Sequence, residues 1–207
     1  MQEIVSRFEF RAFAQDFGVV EETMRALSPE TRFRESLEVY ILSAGNDQNN
    51  TKVRARLMDI KTLLCSERGC EQWSPRMKGE FPMAADVLRG EVFPAFAVAA
   101  PKLARETYTL QQFLDELVAP NPVLRAASVH KRRYGYEVMG CMAEVAEVLV
   151  NGARIKTASL ESADLDALEA ARSRTGLDAY ENVNYLVAIK RVIGMAPLPR
   201  DAYYCAV

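Results

Sequence analysis

Charged and apolar residues alternate with a period of two along several segments of this chain. From position 52 the sequence reads KVRARL, so Lys52, Arg54 and Arg56 would share one face of an extended strand and apolar side chains the other. Lys131 and Arg133 repeat the pattern later in the chain. Because successive side chains of a strand point to opposite sides of a sheet, the pattern predicts antiparallel strands with one charged face. Any fold of this chain must therefore accommodate several strands that each carry a basic face.

Seven segments have the alternation or composition of strands, and turn signals separate several of them. Asn151-Gly152 is the strongest hairpin signal in the sequence, and the Asn-rich run at 46–50 predicts another turn. Pro75 interrupts one segment and Gly140 another. The predicted strands are Glu3 to Phe13, Arg32 to Leu42, Lys52 to Ile60, Glu71 to Lys78, Val123 to Arg133, Tyr136 to Val150 and Ala153 to Glu161.

Other segments have the spacing and the end signals of helices. Thr109 is expected to cap one of them, and Gly176 is expected to end another. The stretch from Pro82 to Ala100 fits either a helix or a strand. The predicted helices are Asp16 to Leu27, Thr109 to Val118, Ser162 or Asp164 to Gly176, and Asn182 to about Ile193.

Consecutive strands joined by short turns, together with segregated helices, predict an α+β fold. Closure of the strands into an antiparallel β-barrel, or tunnel, gives the charged faces an interior. We expect the helices to pack outside this barrel and the C-terminal helix to close one end. One domain is expected over residues 1–195, followed by a C-terminal tail over residues 196–207.

The composition and the termini restrict the class of protein. A net charge of −2 lacks the basic excess of a nucleic-acid binder. The longest apolar stretch, Val92 to Ala100, is too short to span a bilayer, and the N-terminus has no signal pattern. We therefore expect no nucleic acid and no membrane as partner, and leave the oligomeric state open. The spacing of the four cysteines and the single histidine matches no zinc site: Cys65, Cys70, Cys141 and Cys205, with His130. We interpret the cysteines as the reduced thiols of a cytoplasmic protein.

The basic faces indicate an anionic ligand. A solvated outer face would look the same on any one strand, but like-signed pairs two residues apart on several strands repel each other unless an anion lies between them. Arg side chains bind phosphate oxygens in bidentate fashion. Arg11 and Lys78 extend the basic set. Lys190 falls within the apolar stripe of the last helix, so it either snorkels to solvent or points into the barrel as a phosphate contact.

Acidic residues accompany the basic ones. Glu9 shares a strand face with Arg11, and Glu161 ends a later strand. Glu144 and Glu147 lie on opposite faces of one strand, so a regular strand turns only one of them inward. Carboxylates in such a place can hold Mg²⁺ or Mn²⁺.

The order of these pieces resembles the CYTH family, the triphosphate tunnel metalloenzymes, over nearly the whole chain. RFEFR stands where that family has Glu-x-Glu-x-Lys, KVRARLMDIKTL resembles its Arg-x-Arg strand and downstream lysine, and VHKRRYGYEV resembles its Lys-x-Arg strand. MAEVAEVLVNGARIKTASLES resembles its acidic strands, and NVNYLVAIK resembles its closing helix. Arg7 and Arg11 replace the first glutamate and the lysine of the signature, and Ser159 replaces one glutamate of its closing pair.

The resemblance implies roles for individual residues. Glu9, Glu144 and Glu161 would hold Mg²⁺ or Mn²⁺, and Glu9 and Glu161 would act in catalysis. From their placement on basic faces and on the last helix, Lys52, Lys78 and Lys190 are added to the residues that bind the substrate. The triphosphate-binding residues implied by the resemblance are Arg11, Arg54, Arg56, Lys61, Lys131 and Arg133.

The resemblance implies metal-dependent hydrolysis of a triphosphate-bearing small molecule. Inorganic tripolyphosphate, thiamine triphosphate and a nucleoside triphosphate are the expected substrate classes. Because two carboxylates of the family signature are replaced, a non-catalytic module that binds a polyphosphate or a phosphorylated ligand is the alternative. A cyclisation of the class IV adenylyl cyclase type is the second alternative, and a barrel scaffold without a site is the third.

Overall fold

Eight strands form a closed antiparallel barrel in the computed structural model, which describes residues 6–199. A separate two-stranded sheet consists of β6 (Met83–Ala84) and β7 (Thr107–Tyr108). The barrel strands are β1 (Phe8–Ala14), β2 (Arg32–Ser43), β3 (Asn49–Arg54), β4 (Leu57–Glu67), β5 (Cys70–Glu80), β8 (Leu124–Val138), β9 (Cys141–Val150) and β10 (Ala153–Ser162).

The strands follow the order β1-β10-β9-β8-β2-β3-β4-β5 around the barrel, and β5 pairs with β1 at Phe8 and Glu9 to close it. Every neighbouring pair is antiparallel. Asn151-Gly152 turns β9 into β10, and Gly140 lies in the turn before β9, all three with positive φ. The predicted α+β barrel is confirmed, with both of these turns where the sequence indicated.

Helices cover two regions of the outer barrel surface. The first helix (Val19–Leu27) and a second (Leu165–Thr175), capped by Asp164, pack over the outward side chains of β1 and β10, such as Phe10. Helical segments between β5 and β8 cover the outward side chains of β2, β3 and β4, such as Ile41. Their bounds are Ala85–Val87, Leu88–Val92 (π-helical) and Phe93–Ala95, then Leu110–Gln112, capped by Thr109, and Phe113–Val118 (π-helical). A 3₁₀ turn, Leu177–Ala179, follows Gly176.

The closing helix, Tyr185–Val192, packs into one end of the barrel. Its Leu186 and Ile189 join a buried cluster with inward-facing side chains such as Val148 of β9. Asn184 caps the helix by accepting a hydrogen bond from a backbone N–H of the first turn. The expectation that a C-terminal helix closes one end is confirmed.

The segment from Lys52 to Ile60 contains two strands, and its prediction as one strand was wrong. Ala55 and Arg56 form the turn between β3 and β4, with φ of 49° and 65°. Neither glycine nor asparagine marks this turn, so its composition carried no hairpin signal. Consequently Arg56 does not share an inner strand face with Lys52.

Substitution of this turn should stabilise the protein. We expect Ala55→Asn combined with Arg56→Gly to raise the free energy of unfolding by about 1 kcal/mol, because Asn and Gly tolerate positive φ better than Ala and Arg. Urea unfolding of the variant and the wild type measures the difference. A less stable variant would contradict the turn geometry.

Other boundaries shift in smaller ways. The first helix begins at Val19, after the expected start at Asp16. β5 continues through Pro75, where the β4–β5 register shifts, so the proline falls at an irregularity where its missing N–H is tolerated. Residues 3–5 of the predicted first strand lie outside the described residues. None of the helices within residues 6–199 has the length and apolarity required to cross a membrane.

Candidate functional site

The inner faces of six strands bring charged side chains into one cavity of about 150 Å³. Outward neighbours on the same strands, such as Phe10 and Val53, are buried under the helices, so the alternation turns the charged residues inward. Five basic and three acidic side chains lie in the cavity wall: Arg11, Lys52, Lys61, Lys131 and Arg133, with Glu9, Glu144 and Glu161.

Four basic residues of the expected set lie outside this wall. Arg54 is 48% exposed near the end of β3. Lys78 is exposed on β5, opposite Asp59 of β4. Arg56 lies in the β3–β4 turn. Lys190 is the last of the four basic residues that do not line the cavity.

Lys190 anchors the closing helix to the loop between β2 and β3. It is 3% exposed, and its Nζ donates to the carbonyl oxygen of Asn46 at 2.8 Å and to Asp47 Oδ1 at 2.7 Å. Lys190 therefore neither snorkels to solvent nor lines the cavity.

Glu38 of β2, which the expected site residues did not include, holds three basic side chains together. It is fully buried, and its carboxylate lies 3.0 Å from Lys131 Nζ, 3.6 Å from Lys52 Nζ and 3.5 Å from a guanidinium nitrogen of Arg54. Burial favours the neutral acid, but the charges of Lys131 and Lys52 outweigh it and hold the pKa of Glu38 at about 2. Glu38 is thus an anionic counter-charge inside the basic wall.

Lys131 lies in an aromatic enclosure. Its Nζ donates to Tyr40 Oη at 2.7 Å and lies 3.6 Å from the centroid of the Tyr185 ring. Burial lowers the pKa of Lys131 well below its ordinary value, although Glu38 opposes the shift. A further anion close to this ammonium would favour its charged form.

Arg11 is buried beside two of the three carboxylates. Its Nε donates to Glu9 Oε1, and its NH1 lies 3.7 Å from Glu144 Oε1 and donates to Thr157 Oγ1 at 3.2 Å. Burial and the neighbouring charge of Glu9 raise the pKa of Glu161, while Arg11 opposes this. Acidic and basic groups are therefore interleaved on this side of the cavity.

The choice between Glu144 and Glu147, which the sequence left open, is decided by the regularity of β9. Glu144 lies in the cavity wall. Glu147 is on the outer surface, where it pairs with Arg132 at 3.1 Å. One carboxylate of the two therefore belongs to the interior, as alternation requires.

The three cavity carboxylates do not form a metal site in this arrangement. Glu9 and Glu161 are opposite each other in the β1–β10 register, but Arg11 is bound to Glu9 and lies near Glu144. Across residues 6–199, no three His, Cys, Asp or Glu side chains come together as a metal-binding group.

Several polar atoms of the cavity wall lack a hydrogen-bond partner within the described part of the chain. They are Asn50 Oδ1, Arg133 Nε and the Tyr185 hydroxyl. A buried polar atom left without a partner costs about 1–3 kcal/mol. Arg133 Nε and the Tyr185 hydroxyl can both donate to the oxygens of an anionic ligand.

Uncharged residues of the wall were not selected from the sequence. Tyr40 follows Glu38 by two residues on the inner face of β2, so the period-two rule could have found it. Tyr185 comes from the closing helix, and its place depends on how that helix docks, for which the sequence carries no local signal. The remaining uncharged wall residues are Asn50, Trp73 and Asn184.

Comparison with solved structures finds proteins whose fold is similar to that of this chain. One similar structure is a Hippeastrum protein described as a candidate adenylyl cyclase with a dominant triphosphatase activity. The match covers 93% of this chain and 98% of that protein, with a TM-score of 0.52 and 14% identity. A conserved hypothetical protein from Pyrococcus furiosus covers 87% of this chain and 98% of its own, with a TM-score of 0.47 and 16% identity. The match to a candidate adenylate cyclase from Bacillus halodurans covers 97% of this chain and 99% of that protein, with a TM-score of 0.44 and 9% identity.

The similarity to the Hippeastrum protein shows a shared fold along nearly the full length of both chains. At this level of identity the similarity concerns the fold alone. No protein-family model and no curated protein matches the sequence.

Proposed function

We propose that the barrel binds a triphosphate-bearing small molecule in its interior. The main support is the convergence of five basic side chains from four strands on one cavity, which three acidic side chains also line. A fourth carboxylate, Glu38, contacts Lys131 and Lys52 of this basic set. A cavity of about 150 Å³ admits a small molecule but no folded macromolecule. Phosphate oxygens along one ligand would contact several of these groups at once.

The chemistry of the basic side chains supports phosphate rather than a monovalent anion. Guanidinium groups of Arg11 and Arg133 can donate two parallel hydrogen bonds to one phosphate, and the lysine ammonium groups add point charge. A polyanion also offsets the repulsion among cations that lie close together at the wall. Donors without a partner, such as Arg133 Nε, would be satisfied by the same oxygens.

We also propose that the chain is a divergent member of the CYTH family. The order of the sequence segments and the shared barrel fold both support this assignment. Under this proposal residues 1–195 are one tunnel domain and residues 196–207 a tail. The cytoplasm remains the proposed compartment, supported by Cys65, Cys70 and Cys141, which form no disulfide within the described residues.

Hydrolysis of the bound triphosphate is the second candidate function. The observation in its favour is that Glu9, Glu144 and Glu161 line the same cavity as the cations. Water would attack the terminal phosphorus, and tripolyphosphate would yield phosphate and diphosphate. The expected Mg²⁺ or Mn²⁺ dependence stays a prediction, and cyclisation of a nucleoside triphosphate stays its alternative.

Calorimetric titration with tripolyphosphate tests the binding proposal. We expect saturable binding in a buffer with a metal chelator, and no comparable heat from sodium chloride of equal ionic strength, because specific pairing exceeds general screening. Tripolyphosphate that behaves like the chloride control would refute the proposal.

Phosphate release separates an enzyme from a binding module. Tripolyphosphate, thiamine triphosphate and ATP are incubated with the protein in chelator, in Mg²⁺ and in Mn²⁺. Release above the rate without protein supports hydrolysis, and its metal dependence tests the cofactor. Tight binding without release in any mixture would establish the non-catalytic alternative.

A further inference from the structure

A second compartment of about 150 Å³ adjoins the inner cavity and leads outward from it. The two compartments share wall residues, among them Lys61, Trp73 and Glu161. The outer compartment adds Arg7, which is exposed, and Pro75. A ligand held in the inner cavity could therefore extend past Trp73 toward the surface.

Trp73 is held in place by the element that closes the barrel. Its Nε1 donates to Glu71 Oε2 at 3.1 Å, and Glu71 Oε1 accepts from Asn184 Nδ2 at 3.0 Å. Asn184 is itself the cap of the closing helix. The indole is half-buried and lies in the walls of both compartments.

The two compartments differ in chemistry. The inner one collects the cations that suit phosphate oxygens. The outer one combines the indole of Trp73 and the ring of Pro75 with two basic and two acidic side chains, so its charges balance: Arg7 and Lys61, with Glu9 and Glu161. An apolar surface does not strengthen the binding of a bare inorganic chain of phosphates, whereas stacking on an aromatic side chain strengthens the binding of a flat organic ring.

We propose, resting on the proposed triphosphate binding, that Trp73 and Pro75 form a subsite for a planar ring carried on the end of the triphosphate. The ligand class is then an organic triphosphate, with its phosphates in the inner cavity and its ring in the outer compartment. Trp73 is a specificity-determining residue in this arrangement, because it favours a ring-bearing triphosphate over tripolyphosphate.

Two substitutions at Trp73 isolate the contribution of the ring. Trp73→Phe keeps an aromatic ring, and Trp73→Leu keeps only apolar bulk, while both lose the hydrogen bond to Glu71. Tripolyphosphate, ATP and UTP are titrated calorimetrically into the wild type and both variants, with a chelator present. We expect Trp73→Leu to weaken the binding of ATP and UTP by about tenfold more than it weakens the binding of tripolyphosphate. Trp73→Phe should weaken the binding of all three ligands to a similar and smaller extent, because it keeps the aromatic ring.

Trp73 is the only tryptophan in the chain, so its fluorescence gives a second readout. A ring-bearing ligand should change the emission of the wild type more than tripolyphosphate does. Equal affinities of Trp73→Leu and Trp73→Phe for ATP and UTP would overturn the subsite. If the wild type still bound tripolyphosphate, the proposed function would remain supported. Failure of tripolyphosphate to bind the wild type would overturn both.

Discussion

Replacement of Glu38 by glutamine should lower the free energy of unfolding by about 3 kcal/mol. Glu38 is fully buried and lies within 3.6 Å of both Lys131 Nζ and Lys52 Nζ. Glutamine keeps the shape but removes the charge, so the buried ammonium of Lys131 loses its compensation. Urea unfolding at neutral pH measures the loss.

Two further variants identify the cause of that loss. Glu35→Gln is the matched control on the same strand, because Glu35 faces outward, is 52% exposed and pairs only with His130 among the described contacts. It should change stability by less than about 0.5 kcal/mol. Adding Lys131→Met to Glu38→Gln should recover part of the loss, since the buried charge then disappears. A double variant less stable than Glu38→Gln alone would contradict the ion-pair explanation.

The stability difference between wild type and Glu38→Gln should depend on pH. The pKa of Glu38 is about 2 in the folded protein against an ordinary value of 4.5, so its stabilising charge is fully present above about pH 4.5 and is lost as the pH falls toward 2. The shift corresponds to about 3 kcal/mol. Unfolding curves of the two proteins should therefore converge between about pH 5 and pH 2. A difference that stays constant over this range would show that Glu38 is not held anionic by its neighbours.

Replacement of Arg133 by methionine should weaken tripolyphosphate binding by about tenfold to a hundredfold, the value of one hydrogen bond to a charged group. Arg133 lines the cavity, its Nε lacks a partner within the described chain, and its NH2 donates to Ser36 Oγ at 3.3 Å. Methionine keeps much of the side-chain length and removes every donor. Calorimetric titration measures the affinity.

The neighbouring residue provides the matched control for Arg133. Arg132 lies on the same strand with the same charge, but it faces outward and pairs with Glu147 at 3.1 Å. Arg132→Met should leave the affinity for tripolyphosphate unchanged. Equal losses in the two variants would mean that the ligand responds to net charge and not to the cavity.

Alternation in the sequence was sufficient to locate the side chains of long, regular strands. Lys131 and Arg133 lie on β8, whose pairing with β2 and β9 shows no register shift, so the period-two rule assigned them correctly to the inner face. The same rule failed at Arg56, because a turn of two non-glycine residues ends β3 there. Period-two reasoning holds only while the strand continues.

Contacts between distant elements could not be predicted from local patterns. The stripe of the last helix indicated that Lys190 lies on its apolar side, but not that Asn46 and Asp47 would receive its ammonium. The central position of Glu38 likewise depends on β2 lying between β3 and β8, which is a property of the closed barrel. Tyr185 reaches Lys131 only because the closing helix enters the barrel.

A crystal structure of the protein with tripolyphosphate and a metal chelator would show whether the barrel binds phosphate in its interior. We expect a phosphate chain inside the barrel, with oxygens within about 3.2 Å of nitrogen atoms of Arg11, Lys61 and Arg133. Arg11 would then share its hydrogen bonds between the ligand and Glu9. Phosphate bound only on the outer surface, with the inner cavity unchanged, would contradict it.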